Sequence, residues 1–293
     1  MKTIAVLTDF STRAESAARY ALGLASHLQA NVLLYNSFLL PSSEPLGLQV
    51  AWSMESYDEI QGDTEKELHA LAEKLRSELT INSIDSSSFK PTIYCKCDHG
   101  TLSHSLELLL SDGEIILVVM GTHKKGISGF MMSNHLHEVI DNVARPVLIV
   151  PENAVFKSIS KIAFATDMKG TDLEVVNSLA GLARPFNAEV MLAHISAKAS
   201  EEECAKMVTH FLEEVANVIN YQKIYYRSVK ENQVQVGLNW LAENVAFEML
   251  VMVHRHKGFW GQFFNGSYTQ KMAAQLNIPL MVYPCPANSL PVF

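Results

Sequence analysis

The segment Ile4-Ala5-Val6-Leu7-Thr8-Asp9 recurs 158 residues later as Ile162-Ala163-Phe164-Ala165-Thr166-Asp167. A second pair of similar segments, residues 145–151 and 278–284, closes each copy with an apolar run that ends in proline. Such a repeat within 293 residues indicates two copies of one structural unit. We therefore expect a first domain over residues 1–151 and a second over residues 152–293, packed together because the linker between them is short.

Each copy alternates short apolar segments with segments of helical periodicity. The predicted strands are residues 4–7, 31–35, 92–97, 115–120 and 147–150, and in the second copy residues 162–166, 190–195, 224–228, 249–253 and 280–283. Continuous apolar strands are typical of parallel sheets that are covered on both faces. Four capping boxes predict helix starts, namely Thr12 with Glu15, Thr64 with Glu67, Thr171 with Glu174 and Ser200 with Glu203. The sequence thus predicts an α/β protein with two tandem, doubly wound, Rossmann-like parallel sheets of five strands each.

The composition excludes several classes of protein. A net charge of −8 argues against a nucleic-acid partner, which requires clustered cations. No apolar run approaches the roughly 18 residues of a membrane helix, so we expect no membrane insertion. Four cysteines are too few for a disulfide framework, and we expect a cytoplasmic protein. Cys95 and Cys97 share one face of a strand, and buried thiols are favoured there over a metal site.

A ligand crevice is expected where the parallel strands end at their carboxyl termini. The residues at these ends are Thr8, Asp9, Asn36, Ser37 and Gly121, and in the second copy Thr166, Asp167, His194, Ile195 and Val253. The two aspartates either contact a ligand or cap the helix that follows, and the spacing leaves both roles open. After the fourth strand, a run with glycines and two lysines from Gly121 to Gly129 is typical of a phosphate-binding loop.

These segments together resemble the universal stress protein family over nearly the whole chain. The resemblance is carried by residues 8–11, 118–123 and 146–151, and in the second copy by residues 165–167, 251–254, 266–267 and 279–284. It implies an adenine nucleotide α-hydrolase-like fold and dimers that associate along their last strands. Two fused copies therefore imply a pseudo-dimer within one chain, and the resemblance leaves open a further homodimer and a regulatory protein partner.

Nucleotide-binding members of this family carry a motif of Gly, two residues, Gly, nine residues, Gly, then Ser or Thr. In the first copy Gly121 matches, but Lys124 and Asn134 replace the later glycines. In the second copy Gly266 and Ser267 match, but Val253 and His256 replace the earlier glycines. Each copy thus keeps only part of the motif.

The resemblance implies ATP or AMP as the ligand, with Mg²⁺ only as a companion of the nucleotide. The nucleotide-binding residues that it implies are Thr8, Asp9, Ser37, Met120, Gly121, Lys124, Gly126, Ser133, Asn134, Thr166, Asp167, Ile195, Met252, Val253, His256, Gly266 and Ser267. No catalytic residue is predicted, because the histidines beside the crevices lack an acid at a fixed spacing.

We therefore expect a non-catalytic stress-response protein that binds an adenine nucleotide or a protein partner. One alternative is a scaffold or a carrier of a hydrophobic ligand, which would use the apolar insertion near residues 38–62. The other alternative is a weak ATPase, which requires that ATP binds first.

Overall fold

The architecture was obtained as a computed structural model, which describes residues 1–38, 54–82, 89–111, 113–122, 136, 138–196, 201–255, 278–284, 290–291 and 293. The elements of the first half are β1 (Thr3–Leu7), α1 (Thr12–Leu28), β2 (Asn31–Phe38), α2 (Met54–Asn82), β3 (Ile93–His99), α3 (Leu102–Ser111), β4 (Ile115–Thr122) and β5 (Val147–Pro151). Residues 138–142 are also helical.

The second half repeats this order of strands and helices. Its elements are β6 (Lys161–Ala165), α4 (Asp172–Ala183), β7 (Glu189–Ser196), α5 (Glu201–Val218), β8 (Ile224–Lys230), α6 (Val234–Asn244), β9 (Met249–Val253) and β10 (Leu280–Tyr283). The alternation confirms the predicted α/β class.

The ten strands of the described residues form one sheet in the order β3-β2-β1-β4-β5-β10-β9-β6-β7-β8. Within each half the neighbouring strands are parallel, as the pairings of β1 with β4 and of β6 with β9 illustrate. The two halves meet at β5 and β10, which pair antiparallel with Leu280 opposite Ile149 and Val282 opposite Val147. The fold is therefore the predicted pseudo-dimer of two five-stranded, doubly wound units.

Helices cover both faces of this sheet, and the strand side chains alternate between two cores. Ile4 and Val6 pack into the core formed with α1 and α2, whereas Ala5 and Leu7 point into the opposite core. All five residues of β1 are buried. This two-sided burial explains why the strands read as continuous apolar runs rather than as alternating ones.

The segment between the halves packs against both of them. The Phe156 ring lies so close to Gly23 in α1 that a Cβ at that glycine would come within 2.4 Å of it. The Phe156 ring also makes an edge contact with the Tyr20 ring, at 5.1 Å between the ring centroids. Nearby, the His27 ring of α1 stacks on the Phe186 ring of the second half, at 4.8 Å between the ring centroids. The exact domain boundary at residues 151 and 152 stays a prediction.

Two predicted helix starts are wrong, at Thr12 and Thr64, and a third, at Thr171, is correct in position but lacks the expected capping bond. The N-cap of α1 is Ser11, whose side chain accepts from the Ala14 N–H, and not Thr12. Thr64 lies inside α2, where its hydroxyl donates to the Ile60 carbonyl, because the helix already begins ten residues earlier. Thr171 is the N-cap residue of α4, but its hydroxyl makes no capping bond. The Ser200 capping box lies outside the described residues.

The apolar insertion near residues 38–62 falls partly outside the described residues, which omit 39–53, and the remainder from residue 54 onward belongs to α2. None of the helices in the described segments combines the length and the apolar character needed to span a bilayer.

Candidate functional site

The carboxyl ends of β1, β2 and β4 border a cavity of about 230 Å³ in the first half. Its walls are both apolar and polar. They are formed by Leu7, Thr8, Asp9, Arg13, Ala14, Tyr35, Asn36, Ser37, Gly100, Leu102, Met120 and Gly121. The predicted residues Thr8, Asp9, Ser37, Met120 and Gly121 are therefore brought together around one space.

A tight turn at the end of β1 holds Asp9 at this cavity. Thr8 continues the sheet by donating its N–H to the Tyr35 carbonyl at 2.9 Å, and its hydroxyl then accepts the Phe10 N–H at 3.0 Å. Phe10 takes a φ of 61°, in the left-handed region that side chains rarely adopt. The Asn36 amide donates to the Thr8 carbonyl at 2.8 Å and fixes the turn against β2.

Asp9 is held ionised by its immediate neighbours. Its Oδ1 accepts the Ser11 N–H at 3.2 Å and also the Ser11 hydroxyl, and its Oδ2 accepts from Arg13 Nη2 at 2.6 Å. Burial raises the pKa of this carboxyl, but the hydrogen bonds from Ser11 and Arg13 outweigh it and leave the pKa below its usual value. The Asp9 side chain is still 43% exposed, so it supports the turn without being closed off from the cavity.

Arg13 is the charged residue of the cavity wall that the sequence analysis missed. Its side chain is only 11% exposed, and its ion pair with Asp9 spans four residues at the start of α1. Within the described part of the chain, its Nε is buried without a hydrogen-bond partner. The signal that was available is the spacing from Asp9, since residues four apart face one another in a first helical turn.

Gly121 allows α1 to approach β4. A Cβ at this position would lie 2.6 Å from the Arg13 carbonyl oxygen, which is too close for any side chain. In the second half Val253 stands at the equivalent position, and α4 begins only at Asp172, the equivalent of Ala14. The turn bonds from Asp172 N–H to the Lys169 carbonyl and from Leu173 N–H to the Gly170 carbonyl replace the first helical turn there.

The second half has the same turn after its first strand. The Thr166 hydroxyl accepts the Met168 N–H at 2.8 Å, and Met168 has a φ of 58°. The His194 Nδ1 lies 3.0 Å from the Thr166 carbonyl, in the place of the Asn36 amide. The two halves therefore build the same backbone frame for their strand-one aspartates.

Within that frame, the Arg255 guanidinium lies beside Asp167 and pairs with it. Its Nη2 donates to Asp167 Oδ1 at 2.9 Å and to Asp172 Oδ1 at 2.5 Å, while its Nη1 donates to the Thr171 hydroxyl at 3.0 Å. The Asp172 side chain is 1% exposed, and its other oxygen accepts from the Thr166 hydroxyl at 2.6 Å. A guanidinium from the chain itself thus binds three acceptors in the second crevice.

The two carboxyls of this cluster titrate in opposite directions. Burial, reinforced by the nearby charge of Asp167, raises the pKa of Asp172 to about 6 despite the opposing effects of Thr166 and Arg255. Burial also opposes the ionisation of Asp167, but the hydrogen bond from Lys169 and the charge of Arg255 lower its pKa below the usual value. Of the two carboxyls, Asp167 is therefore the one whose ionised form is favoured.

The remaining predicted site residues are not gathered in the same way. Met252 and Val253 are buried at the end of β9, and Ile195 packs with its side chain against Gly237 of α6. Neither Arg255 nor Asp172 was predicted. The other candidates lie outside the described residues, namely Lys124, Gly126, Ser133, Asn134, His256, Gly266 and Ser267.

His254 and Cys95 belong to no metal-binding group among the described residues. The His254 Nε2 lies 2.8 Å from Asp141 Oδ1, so this residue of the second half touches the helical residues 138–142 of the first. The Cys95 thiol donates to the Leu68 carbonyl at 3.5 Å, and burial raises its pKa. Among the described residues, no group of three or more His, Cys, Asp or Glu side chains is placed to hold a metal ion.

The first half of the chain matches a known family model, and the whole chain resembles solved structures. The model described as "Universal stress protein family" matches residues 1–151. A universal stress protein from Archaeoglobus fulgidus aligns with a TM-score of 0.67 and 14% identity over 96% of both chains. A putative universal stress protein from Pseudomonas aeruginosa aligns with a TM-score of 0.54 and 13% identity over 97% of this chain and 93% of that one. At these identities the structural likeness shows the fold alone, and no curated protein sequence matches significantly.

Proposed function

The chain belongs to the universal stress protein family, and we propose that it is a stress-response protein whose first half binds an adenine nucleotide beside Asp9. The observation that carries this proposal is the cavity where β1, β2 and β4 end. It lies at the edge of the sheet where open α/β folds bind their ligands.

The chemistry of the walls fits a nucleotide. Leu7, Tyr35 and Met120 offer apolar surface on which a flat base can pack, and Asn36 and Ser37 offer polar atoms at its border. The ionised Asp9 carboxylate is an acceptor for an amino group or a ribose hydroxyl. A small site with few convergent polar groups is typical of a ligand pocket that orients one molecule.

We propose that the chain binds one nucleotide and not two. In the second half Asp167, the equivalent of Asp9, already accepts from Arg255 and Lys169. A nucleotide there would have to displace a guanidinium that is 9% exposed and hydrogen-bonded to two carboxylates and a hydroxyl. Breaking such a buried charge pair costs several kcal/mol, about 3–5 kcal/mol in typical cases.

Equilibrium dialysis of AMP, and of ATP with Mg²⁺, against the full chain tests this function. We expect one molecule bound per chain, an affinity for AMP reduced about 10-fold or more by Asp9→Asn, and little change from the matched substitution Asp167→Asn. No binding at millimolar nucleotide would remove the proposed function, and two molecules per chain would overturn the single-site proposal. Release of phosphate from ATP-loaded protein separates binding from hydrolysis.

A further inference from the structure

We propose that Arg13 binds the phosphate of the nucleotide, so that the first crevice selects a nucleoside phosphate over the nucleoside. The inference rests on the proposed function, because it names the group that reads the anionic part of the same ligand. It assigns the phosphate contact to the first turn of α1 and not to the loop after β4, in whose sequence Lys124 and Asn134 interrupt the glycine pattern.

The first argument is that Arg13 has more N–H donors than it has acceptors among the described residues. A guanidinium has five N–H donors and no acceptor. In the described part of the chain, its Nη2 donates to Asp9 Oδ2 at 2.6 Å, while its Nε is buried with no hydrogen-bond partner. Buried polar groups are almost always hydrogen-bonded, so an unpaired donor at a cavity wall points to an acceptor supplied by a ligand.

The second argument comes from the other half of the molecule. Both halves place a guanidinium beside the aspartate that follows their first strand, Arg13 beside Asp9 and Arg255 beside Asp167. Arg255 is also bound by Asp172 and Thr171. In the first half the equivalents of these two positions are Ala14 and Arg13 itself, so neither of these two acceptors has a counterpart there. A phosphate at the first crevice would supply the acceptors that Asp172 and Thr171 supply in the second.

The third argument is the electrostatic balance of the cavity wall. The lining residues carry one negative charge, on Asp9, and one positive charge, on Arg13. Asp9 alone would repel a phosphate, but its pairing with Arg13 neutralises it within hydrogen-bond distance. The pair thus presents an acceptor and a donor side by side, which suits a ligand with both amino or hydroxyl donors and an anionic group.

The inference is tested by measuring the binding of three ligands, namely adenosine, AMP and inorganic phosphate. Each is measured with the unmodified chain and with the variants Arg13→Met and Arg13→Lys. We expect AMP to bind about 10- to 100-fold more tightly than adenosine, because one hydrogen bond between the Arg13 guanidinium and the phosphate contributes an affinity of this size. Arg13→Met should remove that difference by weakening AMP and leaving adenosine unchanged, and Arg13→Lys should restore part of it. Arg19→Met is the matched control on the same helix, because Arg19 pairs with Glu15 and Glu78 and does not line the cavity.

The outcomes separate this inference from the proposed function. If adenosine and AMP bind equally, or if Arg13→Met weakens both equally, the phosphate contact is overturned while nucleotide binding stands. If neither ligand binds the unmodified chain, the proposed function fails and the inference fails with it. Thermal unfolding of each variant shows that it is folded, and Arg13→Lys provides the comparison if Arg13→Met does not fold.

Discussion

The two crevices of this molecule share a backbone frame but differ in what stands inside it. In the first half the turn after β1 borders an open cavity, and Arg13 pairs with a single carboxylate there. In the second half the same turn after β6 faces Arg255, which is bound by Asp167, Asp172 and Thr171. The comparison shows that the repeated fold preserves the position of the site but not the side chains that stand in it.

Two differences in sequence accompany this divergence, because Val253 replaces Gly121 and Asp172 replaces Ala14 in the second half. Gly121 lets the first turn of α1 approach β4, whereas Val253 accompanies a helix that starts two positions later. The later start leaves Asp172 at the beginning of α4, buried and directed to Arg255. In the second crevice Arg255 is therefore bound by acceptors of the chain itself, whereas the first crevice has no counterpart of Asp172 or Thr171.

The largest expected effect comes from removing the internal guanidinium. We expect Arg255→Met to lower the free energy of unfolding by about 3–5 kcal/mol, because it leaves the buried Asp172 carboxyl without its partner. Chemical denaturation followed by circular dichroism measures it. The control is Lys169→Met, whose 60% exposed ammonium should contribute at most about 1 kcal/mol. Equal losses in the two variants would contradict the view that Arg255 holds the second crevice together.

The next effect tests the close approach of α1 to β4. Gly121→Val copies the residue of the second half, and we expect it to lower the free energy of unfolding by about 1–3 kcal/mol because the new side chain meets the Arg13 carbonyl. AMP binding should weaken in parallel. Gly62→Ala in α2 is the control, since nothing lies within 4 Å of its Cβ, and it should be neutral or stabilising by up to about 1 kcal/mol. An unchanged stability in Gly121→Val would show that the helix approach is adaptable.

The pH dependence of the second crevice should reflect Asp172. Its pKa is raised to about 6 in the folded chain from 3.8, so the folded state binds the extra proton between these values. Its contribution to stability is therefore present below pH 4 and is lost as pH rises through 6, at no more than about 1.4 kcal/mol per pH unit. Denaturation curves at several pH values should show this slope in the unmodified chain and not in Asp172→Asn. Identical slopes would refute the raised pKa.

The smallest effect is the opposite dependence at Asp9. Because its folded-state pKa is lowered, its stabilising contribution is present above the ordinary pKa of 3.8 and is lost as pH falls through the lowered value. The carboxyl is partly exposed, so Asp9→Asn should cost less than about 1 kcal/mol at pH 7 and nothing near pH 2. A difference that grows on acidification would be inconsistent with the Ser11 and Arg13 contacts.

Much of the fold could be predicted from the sequence, because the strand pattern and the repeat are local properties. The apolar runs of β1 and β4 and the recurrence of Thr-Asp after each first strand were sufficient to predict two five-stranded units, whereas their union into one sheet through β5 and β10 was seen only in the structure. The helix starts were less accurate. Ser, Thr and Glu at capping spacing also occur inside helices, as Thr64 does within α2.

The site could be predicted only in part. Thr8, Asp9, Ser37, Met120 and Gly121 follow from the rule that ligands bind at strand ends, and they do line one cavity. Arg13 was overlooked because an arginine in a first helical turn is ordinarily a solvated side chain. Arg255 was overlooked because its partners Asp167 and Asp172 lie 88 and 83 residues away in the chain.

The sequence by itself determined the duplicated α/β unit, the parallel strands and the positions of the two aspartates. These depend on the periodicity of neighbouring residues, which acts over a few ångströms along the chain. Only the tertiary structure decided which side chains stand beside each aspartate. Strand order brings the end of β9 beside the end of β6, so that Arg255 reaches Asp167, and the spacing between α1 and β4 leaves Arg13 at the wall of a cavity.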